Sequence, residues 1–172
     1  MEINTKRLTL RPLRPGDLET THAYASDAAN TEYMMFLPNE TREETLRFLE
    51  DAAAEWLKPR PAYYEFAVLL GGAHIGAVSL YMEGGPDTAE LGWILHRGHH
   101  GHGYATEAAA ALIPFARDAL GVKRLIAHCD AENLASQGVM RKLGMTLADT
   151  SGTRKNRGSD EVRTEYRYEM AL

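Results

Sequence analysis

The hydrophobic pattern of the first third of the chain predicts one strand followed by two helices. Residues 8–12 alternate leucine with polar residues, which is the two-residue period of a strand, and a proline ends the run. Turn-forming residues then predict a helix over residues 15–29. Thr41 and Glu44 have the spacing of a capping box, so a second helix is expected there. The apolar positions of this helix are Leu46, Leu49, Ala53 and Leu57. Pro59 and Pro61 are expected to end it.

The middle of the chain predicts a meander of three strands. The apolar runs Tyr63–Leu70 and His74–Met82 are separated by Gly71-Gly72, a spacing typical of a β-hairpin. A second glycine-containing turn, residues 84–87, leads into a third expected strand, Thr88–His96.

The last third predicts alternating helices and strands. An alanine-rich helix is expected from Tyr104 to Leu120, with a kink or a break at Pro114. The remaining expected elements are a strand Arg124–Cys129, a helix Asn133–Leu143 stopped by Gly144, and two strands, Thr146–Thr150 and Glu165–Leu172, around a polar connection Ser151–Thr164. The order β-α-α-β-β-β-α-β-α-β-β is typical of an α/β protein, an α+β arrangement with a mixed sheet, and we expect one domain over residues 1–172.

Composition narrows the class of protein. The 172 residues are 44% hydrophobic and 25% charged, which fits a globular domain of this length. One cysteine, Cys129, excludes an intramolecular disulfide and a multi-cysteine zinc site. Because no apolar run has the length of a membrane span or the pattern of a signal peptide, a cytoplasmic protein without a membrane partner is expected. A net charge of −5 argues against a nucleic-acid partner.

The charge is distributed unevenly along the chain. Residues 1–95 hold 15 acidic and 8 basic residues, whereas residues 96–172 hold 9 acidic and 11 basic ones. Random scatter of surface charge explains this equally well, but the asymmetry suits an anionic ligand held by the second half.

A loop rich in glycine and histidine is the most informative segment. The third strand of the meander leads into Gly98, Gly101 and Gly103, and a helix follows at once. Glycines let backbone N–H groups converge, and a helix N-terminus adds further donors, so a phosphate or pyrophosphate fits here. The segment lacks the Lys-Ser/Thr of a P-loop, and it follows a meander rather than opening a βαβ unit.

The chain resembles the GNAT superfamily of acyl-CoA-dependent N-acyltransferases. The likeness rests on Gly98-His-His-Gly-His-Gly103 followed by Tyr104-Ala-Thr-Glu-Ala108, on Thr5–Leu13, on Ala89–Leu95, and on Asn133–Ser136 with Lys142–Met145. These segments cover nearly the whole chain in the family's order and are most similar to the RimJ/RimL-like ribosomal-protein N-terminal acetyltransferases. The resemblance implies a central, mostly antiparallel, twisted sheet flanked by helices.

The resemblance also implies acetyl-CoA as co-substrate and assigns residues to it. The implied sets are Ile94, Leu95 and His96 along the pantetheine arm; His99, His100, Gly101, His102, Gly103, Tyr104 and Ala105 at the pyrophosphate; and Asn133 and Ser136 at the thioester end. One departure concerns the first loop position, which is Gln or Arg in the family and Gly98 here, with Arg97 one place earlier.

Glu90 is the implied catalytic base. An amine must lose a proton to attack a thioester, and a carboxylate accepts it directly or through water. Glu90 lies eleven residues before Gly101, where the family places such a base. A solvent-facing strand carboxylate is the alternative reading of Glu90. A backbone N–H freed where two neighbouring strands separate is expected to stabilise the oxyanion.

The residue that many relatives use to protonate the leaving thiolate of coenzyme A is absent from this chain. Many relatives use a tyrosine as general acid, and this position is Met140 here, which has no proton to donate. Ser136 is the second implied catalytic residue, as hydrogen-bond donor to the sulfur. Cys129 is expected to be a buried strand residue rather than a nucleophile, so the transfer is direct.

Four histidines fall between His96 and His102. Such a run is able to bind zinc or nickel, but ligands crowded into one loop rarely form a tetrahedral site, so we expect no metal. Partial positive charge beside phosphates is the favoured role.

The acceptor is expected to be an amine. The favoured one is a protein or peptide α-amine; the alternatives are a small-molecule amine (amino acid, polyamine or amine antibiotic) and, in another class, a non-catalytic acyl-CoA-binding domain. Residues 33–38 and the region of Tyr63, Tyr64 and Tyr81 are candidates to shape the acceptor site. Homodimers are common in this branch of the family.

Overall fold

The computed structural model describes all 172 residues, arranged as eight strands and four α-helices. The strands are β1 (Ile3–Asn4), β2 (Leu8–Pro12), β3 (Tyr63–Leu70), β4 (Ala73–Met82), β5 (Thr88–Leu95), β6 (Arg124–Asp130), β7 (Thr146–Lys155) and β8 (Val162–Ala171). The helices are α1 (Leu18–Ala25), α2 (Arg42–Glu55), α3 (Tyr104–Pro114) and α4 (Leu134–Lys142). Apart from the two-residue strand β1, the predicted order of elements is confirmed. None of the helices combines the length and the apolar character needed to cross a membrane.

All eight strands belong to one sheet in the order β1-β2-β3-β4-β5-β6-β8-β7. Every pair of neighbours is antiparallel except β5 and β6, which run parallel because α3 forms the crossover between them. The expected mixed, mostly antiparallel sheet is therefore confirmed.

The first helix is shorter than the predicted span of residues 15–29. It begins after a 3₁₀ turn at Pro15–Asp17 and ends at Ala25. The reason lies in Asp27, whose side chain accepts a hydrogen bond from Ala29 N at 3.0 Å and whose carbonyl accepts one from Asn30 N. Such an Asx turn offers the backbone an alternative to the helix. The second helix begins as expected, since the Thr41 side chain caps it by accepting from Glu44 N.

Pro114 changes the type of helix but does not end the helical segment. The predicted helix Tyr104–Leu120 is regular α-helix only to Pro114, which lacks the N–H that would continue the ladder. Residues Phe115–Ala119 continue as a π-helical turn, in which Leu120 N donates to Phe115 O at 3.3 Å.

The C-terminal hairpin is longer than predicted. Its strands extend beyond Thr146–Thr150 and Glu165–Leu172 toward each other, so that half of the predicted connection 151–164 is paired, with Lys155 opposite Val162. The hydrophobic pattern misses these residues because the ladder uses only backbone groups and most of β7 is exposed on both faces. Two register shifts in β7 add to the irregularity.

The two faces of the sheet differ in what they pack. The face toward α3 and α4 carries the main core of 22 buried residues, which includes Phe66, Leu112 and Leu125. The face toward α1 and α2 holds two clusters of only three buried residues each. The second face therefore has room for polar side chains.

We expect Phe66→Ala to lower the free energy of unfolding by about 3–5 kcal/mol, the usual range for truncating a buried aromatic side chain. Phe66 is fully buried, and the rings of Trp56 and Phe115 meet it edge-on, with centroids 5.0 and 5.5 Å away. Urea unfolding measures the change. Phe36→Ala is the control, since Phe36 is 82% exposed, and a change below about 0.5 kcal/mol is expected there. Similar losses in both variants would contradict this description of the core.

Candidate active site

A cleft opens in the middle of the sheet between β5 and β6. The parallel ladder joins Thr88–Glu90 to Arg124–Ile126 and stops there. β5 nevertheless continues to Leu95 and β6 to Asp130. Beyond Glu90 the facing edges of these two strands have no ladder with each other, so their backbone groups are available to a ligand.

The alternation of backbone groups determines which residues of β5 face this cleft. His96 N donates to Ile75 O at 2.8 Å, on the side of β4. Because successive strand residues direct their N–H and C=O groups to opposite sides, Ile94 also faces β4. Of the three residues predicted for the pantetheine edge, Leu95 therefore presents its backbone to the cleft, whereas Ile94 and His96 do not. The residues beyond the ladder whose backbone groups face the cleft are Trp93 and Leu95.

The glycine-rich loop follows β5 directly and leads into α3. Gly101 and Gly103 have φ angles of 79° and 78°, a left-handed conformation that side chains other than glycine rarely adopt. Gly103 is the N-cap of α3, and Glu107 N makes the first helical bond to Gly103 O at 3.0 Å. The N–H groups of residues 104–106 have no backbone partner. A Cβ at Gly101 would meet nothing within 4 Å, so the loop is open to a ligand.

The histidines of this loop have separate local contacts. His96 Nδ1 accepts from Gly98 N at 3.1 Å, and His100 Nε2 lies 3.0 Å from Leu95 O. The His102 ring lies 5.6 Å from that of Tyr104, centroid to centroid. Nowhere in the chain do three or more His, Cys, Asp or Glu side chains come together as a possible metal site.

Glu90 is paired with a histidine of the neighbouring strand. Glu90 Oε1 lies 2.9 Å from Nδ1 of His128, at the point where β5 and β6 separate, and both side chains are less than a third exposed. The hydrogen bond to Glu90 raises the pKa of His128 above its ordinary value, against the opposing effect of burial. Glu90 is thus not an isolated solvent-facing carboxylate. His128 was not among the predicted site residues, and only strand register shows that the two residues meet.

A second polar pair lies beside the first on the same face of the sheet. Tyr81, the cross-strand neighbour of Glu90, donates its hydroxyl hydrogen to Glu65 Oε1 at 2.5 Å. Glu65 is buried, and burial raises its pKa to about 7. In the sequence, the position of Glu65 inside the apolar run of β3 is the one signal that could have indicated a buried polar group here. Tyr63 stacks on Tyr81 with centroids 5.1 Å apart, whereas Tyr64 packs in the core on the opposite face.

The start of α4 lies beyond the end of β6. Asn133 Oδ1 accepts from Ser136 N at 3.0 Å and caps the helix, leaving the Ser136 side chain half-buried in the first turn. Met140 is fully buried in the main core. Cys129 is also buried, and burial raises the pKa of its thiol to about 11, which disfavours the nucleophilic thiolate.

The connection between α1 and α2 is held against the C-terminal hairpin. Arg154 Nη2 donates to Tyr33 O at 3.0 Å, and the Arg163 guanidinium lies 5.8 Å from the Tyr33 ring centroid. Arg157 N donates to Met34 O at 3.0 Å. The segment 33–38, predicted to shape the acceptor site, therefore borders the polar face together with the hairpin.

Comparisons with known proteins agree with this geometry. A family model described as an acetyltransferase (GNAT) domain matches residues 7–146. The uncharacterized N-acetyltransferase YnaD of Bacillus subtilis is 34% identical over 148 residues, which are 84% of this chain and 82% of that protein. The structure of a GNAT-family acetyltransferase from Bacillus anthracis matches with a TM-score of 0.86 and 28% identity, over 99% of this chain and 98% of that one.

A further match concerns the fold alone. The structure of RimL, a ribosomal L7/L12 α-N-protein acetyltransferase in complex with coenzyme A, matches with a TM-score of 0.88 at 18% identity, over 100% of this chain and 98% of that one. The family match includes Glu90, the glycine-rich loop and the start of α4. The chain therefore belongs to the GNAT family of acetyltransferases.

Proposed function

We propose that this acetyl-CoA-dependent N-acetyltransferase acts on the α-amine at the N-terminus of a protein or peptide. The observation that carries the proposal is the Glu90–His128 pair, which lies where β5 and β6 separate. A proton acceptor is thereby placed beside a strand edge with free backbone groups. RimL, whose fold this chain shares, is described as an α-N-protein acetyltransferase, which supports a peptide acceptor.

The chain's own residues fit acetyl-CoA, which supplies the acetyl group as a thioester. The open loop at Gly101 and Gly103 and the unbonded N–H groups of residues 104–106 suit a pyrophosphate. The backbone of Trp93 and the N–H of Leu95 suit the amides of a pantetheine arm, in the manner of an added strand.

Glu90 accepts the proton that the acceptor amine loses, directly or through one water molecule. His128 Nδ1–H donates to Glu90 Oε1 and keeps the carboxylate in a fixed orientation. The deprotonated amine then attacks the thioester carbonyl carbon. A backbone N–H at the cleft edge donates to the carbonyl oxygen as negative charge develops there.

The thiolate of coenzyme A leaves as the new amide bond forms. Ser136, at the start of α4, is the proposed hydrogen-bond donor to the sulfur. Met140 has no such role, since it is buried in the core. Cys129 is buried as well, in agreement with direct transfer and no acyl-enzyme.

The uneven distribution of charge along the chain supports a cationic acceptor and an anionic coenzyme. The acidic first half contributes Glu65 and Glu90 to the polar face, while the second half contributes the loop proposed to hold the phosphates. A carboxylate-bearing face favours a cationic amine.

The acceptor is tested with acetyl-CoA and a panel of lysine-free peptides, amino acids, polyamines and amine antibiotics. We expect release of free thiol with peptides that carry a free N-terminus and none with the same peptides after N-terminal formylation. Mass spectrometry locates the added acetyl group. Turnover with small amines alone would reject the peptide acceptor and favour the small-molecule alternative.

Replacing Glu90 with Gln is expected to lower kcat/KM by about 10²–10⁴-fold, the usual contribution of a general base. The same substitution removes the main cause of the raised pKa of His128. We therefore expect the His128 titration, followed by NMR of the imidazole, to shift to lower pH.

Glu50→Gln is the matched control, because Glu50 is an exposed residue of α2 and has no hydrogen bond or ion pair with Glu90 or His128. Its kcat/KM and the His128 titration should equal those of the wild type. An active Glu90→Gln variant would remove Glu90 from the mechanism.

The loop is tested by Gly103→Val, since valine is strained at a φ of 78°. Strain of this kind costs about 1–3 kcal/mol, so we expect coenzyme A to bind about tenfold more weakly or worse. Isothermal titration calorimetry measures the dissociation constant. Gly16→Ala, where φ is not left-handed and no atom lies within 4 Å of the new Cβ, should bind normally. Equal affinity in both variants would reject the pyrophosphate assignment.

A further inference from the structure

An ion pair joins the N-terminal segment to the first turn of α3. Arg7 Nε donates to Glu107 Oε2 at 2.6 Å, and Arg7 N donates to Oε1 of the same carboxylate at 2.9 Å. The hydroxyl of Thr5 donates to Glu107 Oε1 at 2.6 Å. The Glu107 side chain is 18% exposed and thus has three donors from residues about a hundred positions earlier in the chain.

The same arginine also lies against the glycine-rich loop. Arg7 Nη1 donates to His102 O at 3.0 Å, and the guanidinium carbon is 4.5 Å from the centroid of the Tyr104 ring. A Cβ built on Gly103 would be 3.6 Å from Arg7 Nη2. One side chain therefore contacts His102 and Tyr104, on either side of Gly103, in the segment where the loop becomes the helix.

The position of Glu107 creates an electrostatic conflict for phosphate binding. Burial alone would raise the pKa of Glu107, but the hydrogen bonds from Thr5 and Arg7 outweigh it and lower the pKa, so the side chain is a carboxylate. A carboxylate in the first turn stabilises a helix by itself, yet it repels an anionic ligand bound at the same N-terminus. Arg7 supplies the opposite charge.

The arginine inside the loop segment is directed elsewhere. Arg97 Nη1 lies 3.5 Å from Asp27 Oδ2, in the connection after α1. Gly98, at the first loop position, has no side chain to offer. The cation in contact with His102 and Tyr104 is therefore Arg7, which comes from the N-terminal segment.

We propose that Arg7 is a positioning residue for coenzyme binding, which neutralises Glu107 and holds the His102–Tyr104 backbone in the shape that receives the pyrophosphate. The proposal rests on the assignment of the pyrophosphate to this loop under the proposed function. It adds a residue from the N-terminal segment to the proposed binding site. Substitutions at Arg7 and Glu107 separate the effect of the carboxylate charge from the effect of the arginine contacts.

Calorimetric titration with coenzyme A tests the proposal on the full chain. We expect Arg7→Ala to raise the dissociation constant about tenfold, because it leaves Glu107 as an unpaired carboxylate at the helix N-terminus. The double variant Arg7→Ala with Glu107→Gln should recover part of that loss, because the repelling charge is gone while the contacts of Arg7 with His102 and Tyr104 stay lost. Wild-type affinity in Arg7→Ala, or a double variant no better than the single one, would overturn the proposal.

Glu107→Gln alone removes the negative charge and keeps part of the contacts. The amide oxygen still accepts from the Thr5 hydroxyl and Arg7 N, whereas the amide NH2 replaces the oxygen that accepts from Arg7 Nε. Because the repelling charge is gone, coenzyme A should bind more tightly than to Arg7→Ala. Weaker binding would contradict the charge argument. Circular dichroism confirms that each variant is folded at the temperature of the titration.

Arg117→Ala is the matched control for the loss of an arginine. Arg117 pairs with Asp118 at 2.7 Å in the π-helical turn after α3, and both are exposed. Its dissociation constant should equal that of the wild type. Failure of the wild type itself to bind coenzyme A would reject the proposed function, whereas equal binding by the wild type and Arg7→Ala would reject only the role of Arg7.

Discussion

The separation of β5 and β6 after Glu90 is the constraint on which the rest of the site depends. Backbone N–H and C=O groups inside a protein need partners, and elsewhere the sheet supplies them through its ladders. In the middle of this sheet two strand edges face each other without a ladder. The glycine-rich loop begins where β5 ends, α4 begins just beyond β6, and Glu90 and His128 meet where the strands part. The proposed ligand-binding groups, which come from distant parts of the chain, thereby share one opening.

One face of the sheet is apolar and the other carries polar pairs, because side chains alternate between the two faces along each strand. Residues that alternate with Glu65, Glu90 and His128 on their strands fill the main core, so the polar groups lie opposite the apolar packing. Buried polar groups are tolerated when they are hydrogen-bonded, and the Glu65–Tyr81 and Glu90–His128 pairs meet that condition. The core on one face holds the strands in register, and that register brings the polar partners on the other face together.

The order of elements was predictable because it depends on local signals. Glycine-containing turns, helix caps and apolar periods mark nearly every boundary, and the errors arise where a local side chain or a backbone ladder overrides them. Asp27 ends α1 early, and the polar residues of the hairpin pair through their backbones alone. The glycine-rich loop and Glu90 were also named from the sequence as candidate site residues. His128 and Arg7 were not, because their partners lie 38 and 100 positions away and only the assembled sheet brings them into contact. The assignment of Leu95 rather than Ile94 to the cleft likewise requires the ladder with β4.

The irregular register of β7 has a consequence for the sheet as a whole. β7 is an outermost strand, and an outermost strand with a regular backbone offers a template on which another chain can pair. Two register shifts interrupt the ladder between Leu147 and Gly152, and the exposed Lys155 stands at the far end. Such bulges and charges are the means by which proteins prevent edge-to-edge aggregation. The irregular strand β7, which the hydrophobic pattern does not reveal in full, thus protects this edge of the sheet against pairing with further strands.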